Sequence, residues 1–198
     1  MLSLISPATD WPVSLEEAKA HLHVTFDDDD SMIEIYRKAA TESAEHFTGL
    51  AFYNQTWDYY VDSFPASATY FEIPKSPILE VEGVFYTDGS GEQEWADDAY
   101  RVDNTSRFPR LSLAYGSAWP TAVNVTNAVR VRFRAGMIDD DASPVTGSVP
   151  WLAKAAIMLT IGTLYENRED VVVGTIVAKM PQAARDLLRD LRIHTAIG

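Results

Sequence analysis

The hydrophobic period of the chain changes twice along its length, and this change constrains the fold more than any single motif does. In the first quarter of the chain apolar side chains recur every three or four residues, in the middle they alternate, and in the last quarter the helical spacing returns. Helices therefore flank a central block of strands. We predict an α+β protein in which residues 1–50 and 148–198 form a helical bundle and residues 51–147 form an inserted antiparallel β subdomain.

Four helices are predicted from this spacing and from their end signals. Ser14-Leu15-Glu16-Glu17 has the form of a capping box, in which the first and last residues exchange hydrogen bonds, and it begins a short first helix. A second helix runs from Asp30 to Phe47 and is stopped by Gly49. The other two helices begin at Pro150 and Pro181, because proline is tolerated in the first turn of a helix.

The third helix is apolar around nearly its whole circumference. Between Trp151 and Tyr165 the only charged side chain is Lys154, which is the pattern of a helix buried on every side. We therefore expect it to be the central helix of the bundle, and replacing Leu159 with Ala would then cost roughly 2–5 kcal/mol of stability. Four of its side chains are expected to pack against the second helix: Trp151, Leu152, Leu159 and Tyr165.

The middle of the chain shows the alternation of half-buried strands, punctuated by proline and glycine. The apolar pair before Gly83 and the apolar pair after it would point to opposite faces of a regular strand, so a β-bulge that turns both pairs to the same face is expected near this glycine. The segment Asp88-Gly89-Ser90-Gly91 is typical of a hairpin turn. Strands are predicted to begin at Gln55 and to continue over Tyr70–Ile73, Ile78–Thr87, Tyr100–Asp103, Arg110–Ala114 and Ala128–Arg134.

Charge and composition exclude several classes of function. The 198 residues carry 29 acidic and 16 basic side chains, a formal charge of −13, and a surface this acidic repels phosphate backbones. We therefore do not expect nucleic-acid binding to be the main function of the protein. The absence of cysteine excludes disulfides, thiolate metal sites and cysteine nucleophiles. No signal-peptide pattern and no long apolar segment is seen, so we expect a soluble protein made in the cytoplasm, without membrane contact.

Candidate catalytic and metal-binding residues are few. His21 and His23, followed by Asp27 to Asp30, are of the types that hold a divalent ion. However, residues two apart on a helix point in nearly opposite directions, and aspartates are favoured at a helix N-terminus. Phosphate-loop, dinucleotide and catalytic-triad patterns are absent from the sequence. We therefore predict neither an enzyme nor a cofactor. A carboxylate-dependent hydrolase is the alternative, and it would require a pocket lined by acidic groups.

Two segments are candidates for contacts with partners. Alternation in the strand Arg130-Val131-Arg132-Phe133-Arg134 places three guanidiniums on one face. Either this face is solvated and offset by neighbouring acids, or it meets an acidic face of an identical copy in head-to-tail contacts that close a ring. The second segment runs from Val171 to Gly198 and begins with an apolar stretch that includes no acid; it either contacts a partner or closes the bundle. The candidate contact residues of this stretch are Val171, Val172, Val173, Ile176 and Val177.

Several segments, taken in order, resemble the phage head–tail connector family. The opening segment from Pro12 to Leu22 is similar to the first helix of the family, and Gln55-Thr56-Trp57 is similar to the start of its first strand. The proline-punctuated hairpin that begins at Ile73-Pro74 and the segment from Leu164 to Glu169 resemble two later landmarks. The resemblance runs from Pro12 to about Leu188 and rests on the order and spacing of these segments together.

The resemblance implies a structural adaptor without catalytic activity. Such a protein forms a homo-oligomeric ring, commonly a dodecamer, beneath the portal of a phage or of a phage-like gene transfer agent. Its partners would be further copies of itself, the portal protein and the stopper or tail proteins, and DNA would pass through the lumen without specific binding. The segment from Val171 to Gly198 would contact the portal or neighbouring subunits, unless it closes the bundle. Its final location would be the head–tail junction of the particle. Another tail-joining component, a stopper or a tail terminator, is the alternative.

Overall fold

A computed structural model describes residues 1–104, 108–139, 146–167, 171–172, 175–176 and 180–193. The fold is α+β, as predicted, and four α-helices and twelve β-strands lie within these residues. The helices are α1 (Leu15–Leu22), α2 (Asp30–Thr48), α3 (Trp151–Glu166) and α4 (Gln182–Arg189). The strands are β1 (Leu2–Ser6), β2 (Gln55–Val61), β3 (Tyr70–Glu72), β4 (Ile78–Asp88), β5 (Gly91–Trp95), β6 (Tyr100–Asp103), β7 (Arg110–Leu113), β8 (Val129–Ala135), β9 (Ile138–Asp139), β10 (Thr146–Gly147), β11 (Val171–Val172) and β12 (Thr175–Ile176).

The chain divides into two compact units. The helix unit holds Asp10–Phe52 and Ser148–Arg192, and the strand unit holds Met1–Thr9 and Tyr53–Gly147. Among the residues that can be described, no helix is long and apolar enough to cross a membrane.

The ends of the helices follow the predicted local signals. The backbone N–H of Glu17 donates to Oγ of Ser14 at 3.1 Å, and the N–H of Ser14 donates to Oε2 of Glu17 at 2.8 Å, so the capping box is confirmed. Gly49 ends α2 in the left-handed conformation at φ 78°. Glycine adopts this conformation without steric cost, and the predicted stop signal is therefore confirmed.

The core of the helix unit is built largely from small side chains. α3 packs against α2 and α4, and α1 packs against α2 and α3. Short side chains at the contacts let helix axes approach closely. The most deeply buried apolar residues of the four helices are Ala18, Ile33, Ala40, Ala44, Ala153, Ala156, Ile157, Ile161, Ala184 and Leu188.

The predicted packing of α3 is wrong for three of its four named residues. Trp151, Leu152 and Leu159 are 82%, 44% and 37% exposed, whereas the buried face of α3 is formed by Ala153, Ala156, Ile157, Thr160 and Ile161. A helix that is apolar on every side carries no signal for which face is turned inward. The fourth residue, Tyr165, is partly buried, and its hydroxyl donates to Oδ2 of Asp29 at 2.6 Å.

The strand unit contains a five-stranded sheet in the order β1-β2-β8-β4-β5, with every neighbouring pair antiparallel. A three-stranded sheet has the order β3-β7-β6. Aromatic rings of the two sheets and their loops contact one another at centroid distances of 5.1–6.4 Å. Seven aromatic residues form this cluster: Tyr59, Phe64, Phe71, Tyr86, Trp95, Tyr100 and Trp119.

Two strands of the five-stranded sheet were not predicted. β1 pairs with β2, so the first nine residues belong to the strand unit and not to the helical bundle expected for residues 1–50. β5 is the second arm of a hairpin whose turn, from Asp88 to Gly91, is confirmed. The expected register shift near Gly83 is confirmed, and a second shift lies between Ile78 and Glu80.

Candidate functional site

The arginine face is the side of the five-stranded sheet that carries Arg130, Arg132 and Arg134. These residues alternate on β8 with the fully buried Val131 and Phe133, as predicted. Because β8 is the central strand, each arginine has a neighbour on both β2 and β4. The residues directly opposite are Tyr60 and Phe85 for Arg130, Asp58 and Gly83 for Arg132, and Thr56 and Glu80 for Arg134.

Asp58 lies at the centre of the arginine face and is 1% exposed. Its two carboxylate oxygens accept hydrogen bonds from Nε and Nη2 of Arg132, both at 2.8 Å, in a bidentate pair. The hydroxyl of Tyr60 donates to Oδ2 at 3.3 Å. Burial alone would raise the pKa of Asp58, but the hydrogen bonds and the charge of Arg132, with the charge of Arg130, outweigh it, so the pKa lies below its usual range.

Arg130 has three neighbours on the same face. Its Nη2 lies 3.0 Å from Oε1 of Glu92, and its Nη1 lies 3.7 Å from Oδ2 of Asp58. The guanidinium also lies 4.1 Å from the ring centroid of Phe85, within the range of a cation–π contact. Gly83 makes room for this ring, because a Cβ at position 83 would lie 2.8 Å from Cζ of Phe85.

Arg134 is held at the other end of the face. Its Nη2 lies 3.0 Å from Oδ1 of Asp139, its Nη1 lies 3.4 Å from Oε2 of Glu80, and its Nε donates to Oδ1 of Asn54 at 3.2 Å. Beside it is a polar cleft of about 250 Å³. Glu82 is the only carboxylate among the residues that line this cleft, which are Ser6, Pro7, Thr9, Asn54, Thr56, Glu82 and Arg134. The cleft therefore lacks the pair of acids that a carboxylate-dependent hydrolase would need.

The arginine face is not a basic surface, although the sequence gives it three guanidiniums. Each arginine is paired with at least one carboxylate of its own unit, and Asp58, Glu80, Glu92 and Asp139 together balance the three positive charges. The geometry favours a face offset by neighbouring acids. That the arginine face meets an adjacent copy stays a prediction.

The second predicted contact segment lies only partly within the described residues. The backbone of Val171 pairs antiparallel with that of Ile176, and Val172 pairs with Thr175. Val173 and Val177 lie outside the described residues. The role of this segment in docking stays a prediction.

The acidic run before α2 forms ion pairs and hydrogen bonds within the helix unit. Nζ of Lys19 lies 2.7 Å from Oδ1 of Asp27 and 2.6 Å from Oδ1 of Asp30, and these carboxylates raise the pKa of Lys19. His23 ends α1 in the left-handed conformation. Within the described ranges, no three His, Asp or Glu side chains are grouped closely enough to hold a metal ion.

Two exposed apolar surfaces on the helix unit were not predicted from the sequence. The α3 stripe consists of Trp151, Leu152, Ala155 and Leu159, all exposed. The α2 stripe consists of Met32, Ile35 and Ala39, of which Met32 is 40% and Ile35 is 59% exposed. The sequence feature that could have revealed these surfaces is an excess of apolar residues on two helices that share one small core. Contiguous exposed apolar surface of this kind usually marks a contact with another molecule.

Comparison with known proteins agrees with the resemblance seen in the sequence. Residues 12–85, which span α1, α2, β2, β3 and most of β4, match the family described as phage gp6-like head-tail connector protein. A search of curated proteins found no match.

Three solved structures share the fold over the entire chain. They are the neck of an empty GTA particle computed with C6 symmetry (TM-score 0.76, 20% identity), the virion of a native gene transfer agent (GTA) particle (0.77, 21%) and the neck of a native GTA particle computed with C12 symmetry (0.74, 21%). Each alignment covers 100% of this chain and 98% of the other. The resemblance is confirmed: over residues 12–85 the chain is similar to phage gp6-like head–tail connector proteins, and over its whole length it has the fold of a chain from a gene transfer agent particle.

Proposed function

We propose that the chain is a head–tail adaptor, which assembles as a ring of identical copies beneath the portal and continues the DNA channel toward the tail. The observation that carries the proposal is the full-length fold likeness to a chain from a particle neck computed with C12 symmetry. The match of residues 12–85 to the connector family supports it independently. The partners are further copies of this chain, the portal protein and the stopper or tail proteins. The chain is made in the cytoplasm of the producing cell and ends at the head–tail junction.

The charge of the chain suits a channel through which DNA passes. With a formal charge of −13 the surface repels phosphate, and each of the three arginines of the arginine face is paired with a carboxylate of its own unit. DNA would therefore slide past the ring without specific binding.

We further propose that the role is structural and not catalytic. A carboxylic acid that donates a proton near neutral pH needs a raised pKa. Four carboxyl groups, those of Glu16, Asp27, Glu34 and Asp58, have a pKa shifted downward. The backbone N–H of Glu16 lowers its own carboxyl pKa, Arg37 lowers the pKa of Glu34, and Lys19 lowers that of Asp27. Asp58 belongs to the same group, for the reasons given above.

The experiment that tests the proposal has two parts. The native mass of the purified chain, measured by mass photometry, is expected to include a ring species, which for a dodecamer is twelve times the 22.0 kDa of one chain. Particles from a producing strain that lacks the chain are expected to accumulate heads and tails that are not joined, and re-expression should restore joining. Imaging of intact particles separates the adaptor from a stopper, because only the adaptor would touch the portal directly. Normal joined particles without the chain would overturn the proposal.

A further inference from the structure

We propose that adjacent copies in the ring are joined by a heterologous helix seam, in which the α3 stripe of one copy packs against the α2 stripe of the next. The inference rests on the proposed function, because it supplies the contact by which a ring of identical copies would form. It concerns residues of the helix unit only.

Both stripes are exposed to solvent. The α3 stripe includes Trp151, which is 82% exposed, with the exposed Leu152 and Leu159 beside it. The α2 stripe places Met32, Ile35 and Ala39 at spacings of three and four residues, so they lie on one side of α2. Tryptophan on an exposed helix is a typical anchor of a protein interface, because its large ring is fully desolvated only when a partner covers it.

The charge of the chain favours another copy as the partner of these stripes. Copies that each carry a charge of −13 repel one another, so contact costs least where the surfaces carry no negative charge. The residues of both stripes are uncharged. Their borders carry charges of opposite sign: Lys154 lies beside Trp151 on α3, where its Nζ is also 3.6 Å from Oε1 of Glu17, and Glu42 lies one turn beyond Ala39 on α2.

A ring of identical copies requires that unlike stripes pair with each other. Two α3 stripes packed together would form an isologous contact, which closes after two copies and leaves no free α3 stripe to continue a ring. Two α2 stripes packed together would likewise form an isologous contact that closes after two copies. An α3 stripe on an α2 stripe is heterologous, leaves one free stripe of each kind at the ends and can therefore close into a ring.

The test uses two variants of the full chain that each destroy one stripe. Trp151→Asp removes the α3 stripe, and Ile35→Asp removes the α2 stripe. Both positions are strongly exposed, so the thermal midpoint should change little. Tyr115→Asp is the matched control, because Tyr115 is an exposed aromatic residue of the strand unit, 102% exposed and outside both stripes.

Each stripe variant alone should be monomeric, or at least about tenfold weaker in assembly than the wild type, whereas Tyr115→Asp should assemble normally. A mixture of the two stripe variants should give a 1:1 dimer and no ring, because each variant keeps the half that the other lacks. Glu42→Lys should also weaken assembly, and adding Lys154→Glu to the same chain should restore it. If the wild type assembles only in particles, incorporation of the same variants into particles replaces native mass as the readout.

The outcomes separate the seam from the proposed function. Rings formed equally well by the wild type and by both stripe variants would overturn the seam and leave the adaptor role intact. Self-assembly of Ile35→Asp with loss of assembly only in Trp151→Asp would overturn the heterologous pairing in favour of an isologous α3 contact. A wild-type chain that is absent from particle necks and forms no ring would overturn the adaptor role and the seam together.

Discussion

Asp58 and Arg132 form the bidentate ion pair of the arginine face, but the two partners are not equally buried. The carboxylate side chain is 2% exposed, whereas the guanidinium side chain is 35% exposed and reaches water. Removing Arg132 and removing Asp58 are therefore expected to change the stability of the folded chain by different amounts. A buried carboxylate that loses its partner cannot hydrate, whereas Arg132 can.

We expect Arg132→Met to lower the free energy of unfolding by about 3–5 kcal/mol, because it leaves Asp58 with only Tyr60 and the more distant Arg130. Asp58→Asn should cost about 1–3 kcal/mol. The double variant should cost less than the sum of the two, since the second change removes a group that the first had already left unpaired. Urea unfolding of the four proteins measures this coupling. Strictly additive costs would show that the pair contributes no interaction energy.

The lowered pKa of Asp58 makes stability depend on pH in the acid range. The carboxyl group of the folded chain releases its proton more readily than that of the unfolded chain, whose ordinary pKa is 3.8. The stabilisation is therefore fully present above about pH 5 and is lost as the pH falls through 3.8 toward the folded-state pKa. Between about pH 5 and pH 2.5 the unfolding free energy of the wild type should fall more steeply than that of Asp58→Asn. Parallel curves over this range would contradict the assignment.

The partners of the arginines illustrate what could not be predicted from the sequence at this level. Alternation on β8 predicts that Arg130, Arg132 and Arg134 share one face. It does not predict that Asp58 lies opposite Arg132, because 74 residues separate the two and their alignment depends on the register of β2 against β8. The charge of the face was therefore undetermined until the pairing was known.

α3 offers a matched pair of aliphatic residues that differ in burial. Ile157 is 0% exposed and lies in the core of the helix unit, whereas Leu159, two residues further along, is 37% exposed. Ile157→Ala should lower the free energy of unfolding by about 2–5 kcal/mol. Leu159→Ala should cost less than about 1 kcal/mol, because it removes little buried surface and opens no enclosed cavity. Thermal or urea unfolding of the two variants at low protein concentration measures the difference. Equal costs would show that the α3 stripe is covered within the chain.

Helix ends and turns were predictable because their signals are local. The capping box at Ser14, the stop at Gly49 and the hairpin turn at Asp88 each depend on a few consecutive residues. β1 and β5 were missed for a physical reason. β1 has only five residues, and β5 has the sequence Gly-Glu-Gln-Glu-Trp, so neither has a clear hydrophobic pattern. Both are edge strands, and each is stabilised by pairing with its one neighbouring strand more than by its own sequence.

The chain as a whole combines strong net charge with uncharged apolar stripes, and these two properties respond oppositely to salt. Added salt shortens the electrostatic screening length from about 10 Å at 0.1 M to about 3 Å at 1 M. This weakens the repulsion between copies that each carry −13. It does not weaken apolar contact. Salt therefore distinguishes an apolar seam from a contact made by charged residues.

If the α3 and α2 stripes join adjacent copies, raising the salt concentration from about 0.05 M to about 0.5 M should strengthen ring assembly. If Arg130, Arg132 and Arg134 instead meet an acidic face of the next copy, the same change should weaken it, and Arg132→Glu should abolish assembly most completely at low salt. Mass photometry across a salt series measures the ring fraction in each case. Trp151→Asp is the control for non-specific association, because it should stay monomeric at every salt concentration. Since every arginine of that face already has a carboxylate partner in its own unit, we expect the ring fraction to rise with salt.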